Sequence, residues 1–422
     1  MSTKVVAMSK KVVVIGGGLS AKHAAETVLK KVKGSEVTVV QANRFVEWPL
    51  AMPVVLVNPA LHDKALATDC NKFQVPGVTY KYGVAESVDV AARQVKLAGD
   101  AGTVPYDVLV IATGFSIPLV YPGIGVSLDE RKAEVQRVAD AIKKAQCVVV
   151  AGGGPVGLEL AGDIRIAYPD KKIVLLCRAG ILSQWPDNIK QKFEAQLKKM
   201  NIEVMSQKKG APSKYSLEPG TIDFEDTSLA YDVFLPAYSQ GPNTLFLDSV
   251  TSPGIVDGQG CIQVNEYLQS QKTPEIFAVG VSNFKESFIG IGKLEGQWNS
   301  VAGNAAAFLD GKPLKKHTEA MQFMKLPPMT LIGHGSKGYG YLDCNNLPGC
   351  CKCCCCCGYA GWPCCPPCWP CCACGGCGCC PLGYCGLPPE GTGPAALAGK
   401  LAFMSSGFHF TGVGAAPAQQ KM

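Results

Sequence analysis

The chain has 422 residues, 47% of them hydrophobic, and a formal net charge of +6; it is too long for one small core, and its hydropathy is ordinary for a folded globular protein. Its basic residues form no long block, so nucleic acid is not an expected partner, and no run approaches the roughly 18 apolar residues of a membrane-spanning helix. Of the 22 cysteines, Cys70, Cys147, Cys177 and Cys261 lie in the body and the other 18 between Cys344 and Cys385, so the body reads as reduced and the tail poses a separate question.

Taken in chain order, Lys10 and Lys11 precede a Val-rich run that has the outline of a secretory signal. The run leads directly into Gly16-Gly17-Gly18, and the expectation is a cytoplasmic chain. Residues 12–25, VVVIGGGLSAKHAA, read as a buried strand, a glycine turn and a helix, and residues 36–40, EVTVV, as a second buried strand. Trp48-Pro49 and the apolar stretch 50–57 follow, with core packing and contact with a bound small molecule both open as roles. Residues 106–114, YDVLVIATG, form a strand that ends in Ala112-Thr113-Gly114.

The opening pattern then returns. Residues 148–161, VVVAGGGPVGLELA, align with 12–25 at an offset of 136 without a gap, and 172–176, KIVLL, fall on 36–40. Residues 231–239, YDVFLPAYS, repeat the Tyr-Asp strand and run into Gln240-Gly241-Pro242-Asn243-Thr244. Each copy is the opening strand–helix–strand crossover of a dinucleotide-binding domain. Gly16 and Gly152 permit a tight turn, Gly18 and Gly154 let the backbone approach a pyrophosphate, and Ala21 or Gly157 keeps the helix close to the strand. The helix N-terminus then faces the phosphates. One such triplet is a weak signal; two in matched context predict an α/β fold with two Rossmann-like domains and a Cys-rich low-complexity C-terminal tail.

These residues resemble the pyridine nucleotide–disulfide oxidoreductase superfamily, in particular its apoptosis-inducing-factor-like and ferroptosis-suppressor-like flavoproteins. The most specific stretch is 148–169, VVVAGGGPVGLELAGDIRIAYP, supported by Ala112-Thr113-Gly114, by 276–280 (IFAVG) and by a helix at about 294–309. The resemblance implies an FAD domain in two parts, 10–117 and 251–312, with an NAD(P)H domain, 118–250, inserted between them. An interface segment at 313–343 would follow, then the Cys-rich tail at 344–385 and a Gly/Pro/Ala-rich end at 386–422.

The resemblance further places Gly16, Gly17, Gly18, Ala21, Gln41, Ala112, Thr113, Gly114, Gly280 and Val281 around FAD. It places Gly152, Gly154, Gly157 and Arg178 around the nicotinamide nucleotide, and Glu159 near the nicotinamide ring, with a solvated first-turn carboxylate as the plainer role of Glu159. The sequence departs from the family at several points. Gln41 stands where an acidic residue usually grips the ribose, and Cys177-Arg178 stand at the matching place in the second copy, where an Arg would attract a 2′-phosphate and favour NADPH. Gly280 is followed by Val281 where the family has an Asp for the flavin ribitol, with Ser282 and Asn283 as substitutes, and Tyr238-Ser239 replace the second Thr-Gly.

No CxxC pair occurs in the body, which disfavours a disulfide-reductase mechanism, and the five His show no metal-ligand spacing. The expected function is hydride transfer from NAD(P)H to FAD and electron delivery to a quinone-like or other small acceptor. The alternatives are a degenerate nucleotide-binding scaffold or redox sensor, and a metal-storing tail carried by the body. In that tail Cys365, Cys368, Cys371, Cys374, Cys377 and Cys380 recur at every third residue among Pro and Gly. An extended three-residue turn would line them on one face. Coordination of zinc or copper(I), S-acylation at a membrane surface, and an idle low-complexity segment all remain open.

Overall fold

A computed structural model of the protein describes residues 10–67, 73–183, 185, 187–206, 212, 214–224, 228–248, 250–280, 283, 291–318, 329–332, 339–343 and 390–392. The first parallel sheet grows from β1 (Lys10–Ile15), whose last four residues are buried, through helix α1 (Leu19–Lys31) to β2 (Ser35–Gln41). Helix α1 buries Ala21, Ala24, Ala25 and Val28. That i, i+3, i+4, i+7 spacing of small side chains lets the helix lie close to the sheet. Lys30 and Lys31 occupy its last turn, where the helix dipole favours cations.

An excursion follows before the sheet resumes. It comprises β3 (Val46–Glu47), the short helix α2 (Met52–Val55), a 3₁₀ segment (Pro59–Ala65) and β4 (Leu66–Ala67), with β3 and β4 antiparallel. Strand β5 (Thr79–Tyr82) then joins the first sheet, and an antiparallel meander of β6 (Ala85–Asp89), β7 (Gln94–Leu97) and β8 (Thr103–Pro105) leads into β9 (Val108–Ile111).

Helix α3 (Leu128–Lys144) opens the second half, followed by β10 (Cys147–Ala151), α4 (Pro155–Ala167), β11 (Lys172–Cys177), α5 (Asp187–Lys199) and β12 (Glu203–Ser206). An antiparallel hairpin, β13 (Gly220–Asp223) with β14 (Ser228–Tyr231), leads into β15 (Val233–Pro236). Strand β16 (Ile276–Ala278) returns to the first sheet beside β9, and helix α6 (Ile291–Leu309) packs on α1. Three further strands, β17 (Met329–Ile332), β18 (Tyr339–Asp343) and β19 (Glu390–Thr392), form a small antiparallel sheet.

The strand orders are β16-β9-β1-β2-β5 and β12-β11-β10-β15. In both, the strand that feeds the glycine turn has its first partner on one side and the Tyr-Asp strand on the other. The order therefore reverses beside the turn, which is where open α/β sheets bind ligands. The expected α/β architecture with two dinucleotide-type parallel sheets is what the chain forms.

The repeated Tyr-Asp has a structural cause. The Asp107 carboxylate accepts the backbone N–H of Lys11 at 2.7 Å, and the Asp232 carboxylate accepts those of Gln146 and Cys147 at 2.8 Å. Each Asp takes up the backbone N–H groups at the open N-terminal end of its neighbouring strand, the same device in both sheets.

The core follows the two sheets, with one departure. One cluster joins β1, β2, β9 and β16 to α1 and α6. A second joins β10, β11 and β15 to α3, α4 and α5, and it also takes in Trp48, Met52, Val55 and Leu56 from the excursion of the first half. The Trp48-Pro49 stretch is thus core between the halves, each fully buried aliphatic side chain contributing about 1.5–3 kcal/mol. No helix among the described residues is long and apolar enough to cross a membrane.

Candidate functional site: two glycine cradles

Both glycine turns sit at the C-terminal edge of their sheets and are built alike. Gly16 has φ +143° and Gly152 φ +135°, a backbone region that side chains avoid. A Cβ on Gly16 would lie 2.4 Å from the Ala112 carbonyl oxygen, and one on Gly152 2.7 Å from that of Ala237. Ala112 and Ala237 directly follow β9 and β15, so the same carbonyl backs the same glycine in each half. The middle glycines lean on the ends of the second strands. A Cβ on Gly17 would lie 2.8 Å from Gln41 Cγ, and one on Gly153 2.8 Å from Cys177 Sγ.

The third glycines differ in kind. A Cβ on Gly18 or Gly154 would meet nothing within 4 Å. Each is the N-cap of its helix without a side-chain cap, and neither first turn holds an acidic residue. Free N–H groups, the positive end of the dipole and empty space in front of the backbone are the features that receive an anion. The two cradles therefore fit the pyrophosphates of two dinucleotides.

Around the first cradle, Gln41 is buried and its amide nitrogen donates to the Asn43 carbonyl at 2.7 Å. Asn43 in turn donates to the Gly123 carbonyl at 2.9 Å and accepts the N–H of Gly125 at 2.7 Å. Asn43 thereby ties the 123–125 loop to the end of β2. Thr113 and Gly114 follow β9, Gly114 with φ +65°. Their carbonyls accept the side-chain and backbone N–H groups of Asn243 at 3.1 and 3.0 Å, and the Ser116 hydroxyl donates to Asn243 Oδ1 at 2.7 Å. The segments that leave the two sheets are thus stitched together at one Asn.

Gly280, with φ +76°, follows β16, and its N–H donates to Gln297 Oε1 at 2.7 Å. The Asn283 amide donates to the Ala278 carbonyl at 2.9 Å. Asn283 is buried and bound inward, which uses its amide within the turn. Val281 lies outside the described residues, as does Ser282.

In the second half Gly157 lies under the turn, where a Cβ would be 1.8 Å from the Gly152 carbonyl oxygen. Glu159 is only 5% exposed and follows the first turn of α4, so it is not a solvated first-turn carboxylate. Cys177 is fully buried, and burial pushes its thiol up to about 12, leaving it neutral. Arg178 beside it is exposed and has no ion pair among the described residues. The end of β11 thus carries Cys177 and the positive Arg178 where an acidic residue would repel a 2′-phosphate.

The tail residues Cys365, Cys368, Cys371, Cys374, Cys377 and Cys380 lie outside the described residues. Among the described residues no group of three or more His, Cys, Asp or Glu is placed to hold a metal ion. Sequence reasoning missed Asn243 and Gln297 as turn-fixing amides and the buried Glu47–Arg131 pair. Asn243 had a signal in its Gly-Pro-Asn-Thr context; Glu47 and Arg131 are 84 residues apart and had none.

Comparison with known proteins agrees with this architecture. The chain is 26% identical over 350 residues to the oxidoreductase ptaL of Pestalotiopsis fici, covering 77% of this chain and 91% of that protein. It is 24% identical over 300 residues to ferroptosis suppressor protein 1 of Taeniopygia guttata, covering 64% and 74%. Among solved structures it shares the fold of the sulfide:quinone oxidoreductase from Aquifex aeolicus, with a TM-score of 0.65 at 17% identity, over 96% of this chain and 92% of that one. The profile of the pyridine nucleotide-disulphide oxidoreductases matches residues 10–285, which hold both cradles and the strand returning to the first sheet, and the chain belongs to that family of FAD- and NAD(P)H-dependent oxidoreductases.

Proposed function

We propose that this chain oxidises NADPH and passes the electrons to a small quinone-like acceptor. The observation that carries the reading is the pair of matched cradles, each with an uncapped helix start and open space before its third glycine. Gly16, Gly17, Gly18 and Ala21 would hold the FAD pyrophosphate, with Gln41, Ala112, Thr113, Gly114 and Gly280 around the rest of the cofactor. Gly152, Gly154 and Gly157 would hold the nicotinamide nucleotide, with Glu159 positioning its ring. Bound FAD would supply the two-electron chemistry, accepting hydride and releasing electrons to the acceptor.

Arg178 favours NADPH because a guanidinium pairs with a 2′-phosphate and the neutral Cys177 does not repel one. The acceptor class is supported by the sulfide:quinone oxidoreductase whose fold the chain shares. The proposal places the enzyme in the cytoplasm, with an acylated tail as its route to a membrane surface.

Purified protein is expected to be yellow, to bleach anaerobically with NADPH faster than with NADH, and to recover colour on adding a quinone. Arg178→Glu is expected to reverse the nucleotide order. A colourless protein that takes up no added FAD would restore the scaffold reading. Equal bleaching by both nucleotides, unmoved by Arg178→Glu, would remove the 2′-phosphate assignment.

A further inference from the structure

The excursion 46–67 belongs in sequence to the first sheet but is cored with the second. Trp48, Met52, Val55 and Leu56 pack in one cluster with Val135, Val138 and Ile142 of α3, with Val148 of β10 and with Leu158 of α4. Apolar packing of this kind holds surfaces together without fixing their orientation. Directional bonds at the same seam come from a buried charge cluster that the proposed chemistry does not use.

The Arg131 side chain is 0% exposed and that of Glu47 1%. Arg131 Nε donates to Glu47 Oε1 and Oε2 at 2.9 and 3.1 Å, and Nη2 donates to Oε2 at 3.0 Å and to the Leu119 carbonyl at 2.6 Å. Its Nη1 donates to Glu134 at 2.6 Å, and Glu134 accepts the Tyr215 hydroxyl at 3.0 Å. On the other side, His62 Nε2 meets Glu47 Oε1 at 2.7 Å. Beyond their mutual contact, the guanidinium is thus bonded to Leu119 and Glu134, with Tyr215 behind Glu134, and the carboxylate to His62.

We propose that Glu47 and Arg131 form a latch that sets the nicotinamide half on the flavin half, acting as positioning residues for hydride transfer. The inference rests on the function proposed above. Its physical basis is a contrast in what a buried ion pair supplies. Desolvation cancels most of the Coulomb gain, so an apolar pair of like volume is often as stable. A planar, bidentate guanidinium–carboxylate contact nonetheless admits one relative orientation. Hydride transfer needs that orientation, because reacting atoms must meet at about 3–3.5 Å and a ~1 Å misplacement can cost about a hundredfold.

The test compares full-length wild type with Glu47→Gln, Arg131→Lys and the double variant Glu47→Leu/Arg131→Met, each loaded with FAD. The measurements are flavin content, the limiting rate of anaerobic bleaching by NADPH, and the isotope effect with NADPH deuterated at C4. Amide exchange of 46–56 and 128–144 is measured on flavin-free protein. The single variants are expected to keep flavin and the half-saturating NADPH concentration, lose about tenfold or more in limiting rate, and show a larger isotope effect. Exchange should rise in both segments together. The double variant should regain thermal stability without regaining rate.

A limiting rate within about two-fold of wild type in either folded single variant overturns the latch, as does a double variant that recovers rate along with stability. Should Glu47→Gln not fold, Arg131→Lys and the double variant decide by the same readings. Wild type that never bleaches retires the proposed function instead. Exchange then judges the latch, and unchanged protection in the variants overturns it.

Discussion

In the first crossover the small position under the glycine turn is Ala21, whose Cβ stands 3.2 Å from where a Cβ on Gly16 would be. In the second it is Gly157, where an added Cβ would lie 1.8 Å from the Gly152 carbonyl oxygen. The two turns share a backbone, yet the second helix sits so close that even a methyl group is excluded. Helix α3 shows the opposite arrangement at its start. Ser127 accepts the N–H of Glu130 at 3.2 Å and Glu130 accepts that of Ser127 at 2.8 Å, with Asp129 beside them. That helix satisfies its own terminus, as a capping box does. Helices α1 and α4 do neither, and the comparison separates helix ends closed by the chain from ends left for a ligand.

The largest expected effect breaks the first contrast. Gly157→Ala drives a methyl into backbone and should lower stability by about 1–3 kcal/mol, with loss of the response to NADPH. The reverse change in the other half, Ala21→Gly, should cost only about 1 kcal/mol of helix propensity and keep the flavin. Urea midpoints of nucleotide-free protein and anaerobic bleaching check both, and a Gly157→Ala protein as stable as wild type would show the second helix free to withdraw. Gly154→Ala sharpens the second contrast, because stability and binding should part. Gly154 has φ −83° and no neighbour within 4 Å of its added Cβ, so the entropy removed from the unfolded chain and the poorer N-cap should largely offset, leaving stability within about 1 kcal/mol of wild type. The same methyl occupies the space assigned to phosphate, and NADPH binding measured by calorimetry should weaken. Unchanged affinity would move the pyrophosphate away from this helix.

The repeat made most of this legible, because its physics is local. Three glycines, a small residue and two buried strands in fixed order dictate a crossover whatever surrounds them, and the 136-residue offset exposed it twice. The Tyr-Asp strands were visible as strands, but their purpose was not. Only the fold shows that Asp107 and Asp232 close the open ends of β1 and β10. Trp48 and the run after it were readable as apolar and no further, since the surface they bury belongs to the other half of the chain. The resemblance sets Glu159 near the nicotinamide ring, with a solvated carboxylate as its plainer role; its burial depends on packing that no spacing encodes. The seam between the halves was the least readable part, since its bonds join residues far apart in sequence with no motif at either end.

A smaller effect tests the remaining difference between the crossovers, the residue on which the middle glycine rests. Gln41 does not titrate, whereas Cys177 does. Its thiol, ordinarily near 9.0, is pushed up to about 12 by burial. Above pH 9 the unfolded chain releases this proton while the native state keeps it, so the native state binds more protons and stability falls as pH rises toward 12. Tyr121, raised by burial from 10.0 to about 12, acts in the same direction from a higher starting point. At pH 9.5 the thiol alone should cost about 0.8 kcal/mol relative to pH 8. Burial also raises the Cys147 and Cys261 thiols, which act in the same direction, so Cys177→Ala is expected to show a smaller fall in urea midpoint between those two pH values, by the share of this one thiol, even if its midpoint at pH 8 is lower. An equal fall in the variant would mean that the thiol is reached by water in the native state, and that the second glycine turn is looser than the first.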